Sequence, residues 1–122
     1  MEIDPTLRKL FEKYSEINCV YLFGSRARDQ NQKKSDWDYG ILTIEVPLSV
    51  NALLEIIRDL EHYHRTSVDV VDLRNVPPLL SHRIIHDRKI VFERNPLLRV
   101  NFEARLLCEY LDWTQFLEVH RS

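Results

Sequence analysis

Cys19-Val20-Tyr21-Leu22-Phe23-Gly24-Ser25-Arg26-Ala27-Arg28, and then, separated from Ser25 by ten residues, Asp36-Trp37-Asp38, is the stretch from which the fold is read. The apolar run 19–23 is short, continuous, and rich in β-branched and aromatic residues. It reads as a buried strand that stops at Gly24-Ser25. The polar segment 26–35 reads as a short helix and a loop. A glycine and a serine placed where a strand turns into a helix offer backbone N–H groups, a hydroxyl and a helix N-terminus to an anion. Residues 36–44 read as a second strand. Because side chains alternate across a strand, Asp36 and Asp38 share one face, while Trp37 and Tyr39 occupy the other, where packing is their expected role. Two carboxylates so placed can share metal ions. Hard oxygen ligands suit Mg²⁺, which completes its shell with water and substrate phosphate, so a triphosphate fits between the glycine turn and the carboxylates.

A third carboxylate lies in Val68-Asp69-Val70-Val71-Asp72-Leu73, read as a strand over 67–73. Alternation puts Asp69 and Asp72 on opposite faces, so only one can join the site. Asp69 is the choice, since Asp72 stands at the strand end beside Arg74, where an exposed turn or ion-pair role is natural.

Outward from this centre, Asp4-Pro5 is an N-cap with proline in the first helical turn, and Leu7, Leu10, Phe11, Tyr14 and Ile17 follow at helical spacing. Leu53, Leu54, Ile56, Ile57 and Leu60 form the apolar face of a helix over 49–64. Pro77-Pro78 opens a turn and a helix over 79–87 with Leu80, Ile84 and Ile85 as its buried face. Residues 90–92 read as a short edge strand, and Asn95-Pro96 starts a long helix reaching about residue 120. Strands alternating with helices give an α/β or mixed α+β layered fold: one small sheet packed with helices, plus a long C-terminal helix. The expected division is 1–95 for the sheet-bearing domain and 96–122 for the C-terminal helix, belonging to the same domain or docking a partner.

Composition narrows the function. Only two of the 122 residues are glycine, Gly24 and Gly40. A dinucleotide-binding G-x-G-x-x-G or a Walker G-x-x-x-x-G-K-[ST] needs clustered glycines, and none occur. Seventeen Lys and Arg against nineteen Asp and Glu leave a net charge of −2, which argues against stable binding to nucleic acid by neutralising many phosphates. No apolar run approaches the roughly 18 residues of a membrane span and no leader pattern is present, so the expected location is the cytoplasm. Cys19 and Cys108 lie in apolar stretches and read as buried free thiols.

The pattern G-S-x10-D-x-D followed by a later strand aspartate resembles the signature of the nucleotidyltransferase superfamily that includes DNA polymerase beta. The chain's small size, the G-S-R-A-R loop and the V-D-V-V-D-L strand look like the minimal, MNT-type nucleotidyltransferases of HEPN/MNT toxin–antitoxin pairs. The resemblance covers residues 5 to 95, with Gly24, Ser25, Ala27, Arg28, Ser35, Asp36, Asp38 and Asp69 at motif positions. One departure is Asp29, where the family usually has glycine. The resemblance implies in-line attack on the α-phosphate of ATP, with two Mg²⁺ ions held by Asp36, Asp38 and Asp69, and with Asp69 helping to take the acceptor's proton. It further implies transfer of AMP to a tyrosine of a HEPN-domain toxin ribonuclease, the chain acting as antitoxin in a hetero-oligomer. The alternatives are a small-molecule, aminoglycoside-like adenylyltransferase and an inactive nucleotide- or protein-binding module.

Other candidates carry less chemistry. Arg26 and Arg28 either contact the nucleotide's phosphates or form surface ion pairs. Lys33-Lys34 reads as a solvated loop. His82 and His86 stand one helical turn apart without a third ligand nearby, and His62 and His64 suit a helix C-terminus. In the C-terminal helix, Leu98, Phe102, Leu106, Tyr110, Trp113 and Leu117 form a stripe that Leu107, Leu111 and Phe116 widen. That is more apolar surface than one small sheet covers, so the helix either folds onto its own domain or offers a docking surface.

Overall fold

The computed structural model describes residues 4–24, 37–86 and 88–119. Eight elements follow in chain order: α1 (Pro5–Glu12), β1 (Ile17–Phe23), β2 (Trp37–Thr43), α2 (Val50–His64), β3 (Val68–Asp72), α3 (Pro78–His86), β4 (Lys89–Glu93) and α4 (Pro96–Val119). The strands form one sheet of order β3-β2-β1-β4. β1 is antiparallel to both β2 and β4, whereas β2 and β3 run parallel, joined by the α2 crossover.

Both faces of the sheet are covered, which is why the β1 sequence is apolar without alternation. On one face Val20, Leu22, Tyr39, Ile41, Val68 and Phe92 pack under Leu7 and Phe11 of α1 and Ile56 and Leu60 of α2. On the other, Cys19, Tyr21 and Leu42 pack with Leu73 and with Ile84 of α3, flanked by Leu98 and Phe102 of α4. Burial, then the nearby Glu93 carboxylate, pushes the Cys19 thiol up to about 12, so it stays protonated at neutral pH.

Helix starts follow the expected chemistry. The side chains of Asp4, Ser49 and Asn95 accept from backbone N–H groups of the first turns of α1, α2 and α4. Several expectations are corrected. Ile17 belongs to β1 rather than to the first helix, because the chain turns after Tyr14 and β1 starts two residues before the apolar run, with Asn18 buried against Asn95. Leu54 and Leu80 are exposed, and the buried faces of their helices are Ile56 with Leu60 and Ser81 with Ile84. The Ser81 hydroxyl is accommodated there by donating to the Leu73 carbonyl at 3.3 Å. Cys108 is exposed on α4 rather than buried. The helix and loop expected over 26–35 lie outside the described residues.

Candidate active site

The C-terminal end of β1 and the N-terminal ends of β2 and β3 meet at one edge of the molecule. Phe23 pairs with Asp38 across the antiparallel ladder, and Asp38 pairs with Asp69 across the parallel one. Asp38 and Asp69 are therefore neighbours on adjacent strands, on the face that Gly40 and Val71 continue beneath α3. Asp69 is exposed. Directly after β1, Gly24 takes a left-handed backbone with φ of 76°. A Cβ there would collide with Asp38 Oδ2 and lie 3.2 Å from its Cγ, so the Asp38 carboxylate rests on bare glycine backbone. Gly40 serves the floor of this arrangement: a Cβ would come within 3.1 Å of Ile84 Cγ2 and 3.5 Å of Leu73 Cδ2, so its absence lets α3 lie close on the sheet.

Of the expected site residues, Gly24, Asp38 and Asp69 are brought together. Asp36, Ser25, Arg26 and Arg28 lie outside the described residues, as does Asp29. Asp72 takes the other face, as alternation requires, but it is buried rather than exposed. Its Oδ2 accepts from Leu48 N at 2.7 Å and its Oδ1 from Arg74 N at 3.0 Å, so it fixes the entry to α2 and the turn after β3. Arg74 in turn donates to the carbonyls of Thr43 and Ile44 at 3.1 and 3.2 Å. Partial burial, then repulsion from Arg105, lowers its pKa against the pull of Asp72 and Glu45.

Opposite the carboxylates, Trp37 stacks on His64 with ring centroids 4.1 Å apart, and Tyr39 OH shares a 2.6 Å hydrogen bond with His64 Nε2. Packing is thus the role of both aromatic residues, and the last residue of α2 is held to the start of β2. No spacing rule in the chain links residue 64 to residue 37. His82 stacks on Tyr110 at 3.8 Å, joining α3 to α4. Among the described residues no three His, Cys, Asp or Glu side chains are grouped to hold a metal.

The chain matches the model of the family Polymerase beta, Nucleotidyltransferase over residues 5–97. It belongs to that nucleotidyltransferase family. It is 27% identical over 108 residues to the Protein adenylyltransferase MntA of Aphanizomenon flos-aquae (strain 2012/KM1/D3), covering 81% of this chain and 72% of that one. Its fold is that of two solved toxin–antitoxin structures. One, a complex with AMP-PNP, has a TM-score of 0.80 at 22% identity and covers 93% of this chain and 90% of the other. The second, a tri-AMPylated Shewanella oneidensis HEPN toxin with its MNT antitoxin, has a TM-score of 0.74 at 21% identity and covers 93% and 88%.

In this nucleotidyltransferase the donor set at the strand ends is all oxygen. A carboxylate pair in adjacent register beside the bare backbone of Gly24 suits a hard divalent cation and a phosphate chain. No helix among the described residues is long and apolar enough to cross a membrane.

Proposed function

We propose that this nucleotidyltransferase transfers AMP from ATP to a tyrosine hydroxyl of a HEPN-type ribonuclease and thereby acts as its antitoxin in the cytoplasm. The observation that carries the reading is the pairing of Asp38 with Asp69 against the bare backbone of Gly24, in a chain related to a protein adenylyltransferase. Asp38 and Asp69, together with Asp36, would hold two Mg²⁺ ions. When bound, these supply charge stabilisation for the attacking and leaving oxygens.

The rest falls to the chain's own groups. Gly24 and Ser25 would offer backbone N–H groups and a hydroxyl to the phosphates, and the guanidinium groups of Arg26 and Arg28 would neutralise them. Asp69, exposed at the strand end, faces the acceptor and accepts its proton. A bond forms between the tyrosine oxygen and the α-phosphorus, the bond to the β-phosphate oxygen breaks, and pyrophosphate leaves. Positioning and fixed charge account for most of the acceleration in such transfers, so a small scaffold suffices. Residues 1–95 carry the catalytic machinery, and the C-terminal segment 96–122, whose Leu98 and Phe102 pack against the core of the same sheet, belongs to that domain and offers its distal part for docking.

The test is label transfer from α-labelled ATP, in Mg²⁺, to a purified HEPN-type ribonuclease. Wild type labels it, and an Asp36→Asn, Asp38→Asn double variant of unchanged melting temperature does not. Equal labelling by both would sink the assignment.

A further inference from the structure

The distal half of α4 leaves the sheet. Leu98, Phe102 and Leu106 face the body of the protein, but Leu107, Leu111, Trp113, Phe116 and Leu117 are each about half exposed. Where α4 passes the start of α3, an open apolar groove of about 620 Å³ forms. Its walls are Pro77, Pro78 and Leu79 on one side and Trp113 and Phe116 on the other, the two aromatic rings lying nearly parallel with centroids 5.9 Å apart. Glu109 and Asp112 stand on the α4 wall.

Charge decides the occupant. Residues 106–119 include Glu109, Asp112 and Glu118 and no Lys, Arg or His, and residues 76–80 of the opposite wall carry no charge at all. A second copy laid along this groove would set acid against acid. A segment with an apolar ridge flanked by Lys or Arg would instead pair with the acids while filling the space between the prolines and the aromatic pair. Along α4 the groove runs from Glu109 to Phe116, seven residues of rise, roughly 10 Å, which matches about two turns of a partner helix.

We propose that this groove docks a basic-flanked amphipathic helix of the acceptor protein, remote from the transfer site and acting by holding the acceptor. The proposal rests on the reading that the acceptor is a protein. Docking and chemistry then separate in the kinetics: groove variants raise KM for the acceptor and leave kcat at saturation unchanged. The experiment measures label transfer to, and binding of, a purified HEPN-type ribonuclease by the full chain.

Trp113→Ala with Phe116→Ala is expected to raise KM and the dissociation constant at least about 30-fold, as loss of central aromatic anchors does. Glu109→Lys with Asp112→Lys is expected to raise both at least about 10-fold, and salt to weaken wild type more than this variant. These side chains are exposed, so melting temperatures stay within a few degrees. Labelling with KM unchanged in both variants overturns the groove while leaving the transferase reading intact. Binding that depends on the groove without any labelling supports the groove and overturns the transferase reading. Neither binding nor labelling by wild type overturns both. A dimer of the chain alone that Trp113→Ala dissociates in sedimentation also overturns the proposal, assigning the groove to self-association.

Discussion

Gly24 does two things that a residue with a Cβ does only at a cost. It adopts φ of 76°, and it leaves the space in which the Asp38 carboxylate lies. The first is a matter of stability: an L-residue in this region costs roughly 1–2 kcal/mol. The second is a matter of chemistry, because a new methyl group has to displace the carboxylate itself rather than the tip of a flexible chain. Gly24→Ala is therefore expected to lower the melting temperature by roughly 3–10 °C and to cut nucleotidyl transfer at least about 100-fold, the scale of an ångström's misplacement at a reacting centre. A thermal melt and a rate assay on the same preparation check this, and a variant of native activity would show that Asp38 does not need its present position. Asp69 and Asp72 make the complementary point. Alternation alone separated them by face, and the exposed one is at the site. The turn role of Asp72 toward Arg74 N, two residues on, was legible, but its burial and its bond from Leu48 N were not, since that donor depends on how the loop before α2 folds back.

At the scale of elements, α1 and α2 cover the sheet together, and two carboxylates join them at the surface. Asp59 of α2 accepts from Lys13 Nζ and from Tyr14 OH, both at 2.6 Å, and Tyr63 of α2 donates to Asp4, the N-cap of α1. Partial burial raises the Asp59 pKa, but the hydrogen bonds from Lys13 and Tyr14 outweigh it and hold the carboxyl below its ordinary 3.8. The Tyr63 hydrogen bond, followed by that from Thr6 N, lowers Asp4 in the same direction. Both carboxyls are thus more acidic folded than unfolded. The stability they contribute is fully present above pH 3.8 and is lost as pH falls through the folded-state values. Asp59→Asn is expected to cost about 1 kcal/mol at pH 7, and the gap from wild type should narrow in urea melts as pH falls below 3.8, closing where the folded wild-type carboxyl takes up its proton. A gap that stays constant down to pH 3 would mean that the ion pair is not what holds α1 to α2. The sequence makes these helices legible through their caps and apolar spacing, yet it over-reads their faces. Leu54 and Leu80 fit the periodic pattern but lie beyond the width that a narrow sheet covers.

Across the whole molecule the two ends of the sheet are built differently. The site end relies on backbone room at Gly24 and on carboxylates. The far end is held by polar side chains aimed at backbone: Asp72 and Arg74 beside β3, Asn18 reciprocally with Asn95, and above all Arg94. Arg94 Nε donates to Ile17 O at 2.8 Å, while its Nη2 reaches Glu12 O at 2.9 Å and Tyr14 O at 3.2 Å, so one guanidinium closes the end of α1 onto the start of β1 from the end of β4. Its carbon also lies 5.2 Å from the centre of the Phe92 ring. A lysine cannot reproduce a planar fork serving carbonyls on two elements. Arg94→Lys is expected to cost about 2 kcal/mol, seen as a melting temperature lower by roughly 6–10 °C for a chain of this size. The same variant should catalyse nucleotidyl transfer at the wild-type rate well below its transition, because Arg94 lies at the far end of the strands from Asp38 and Asp69. If activity fell in step with stability at low temperature, the two ends would be mechanically coupled, and the separation of anchoring from chemistry inferred from the strand directions would be wrong.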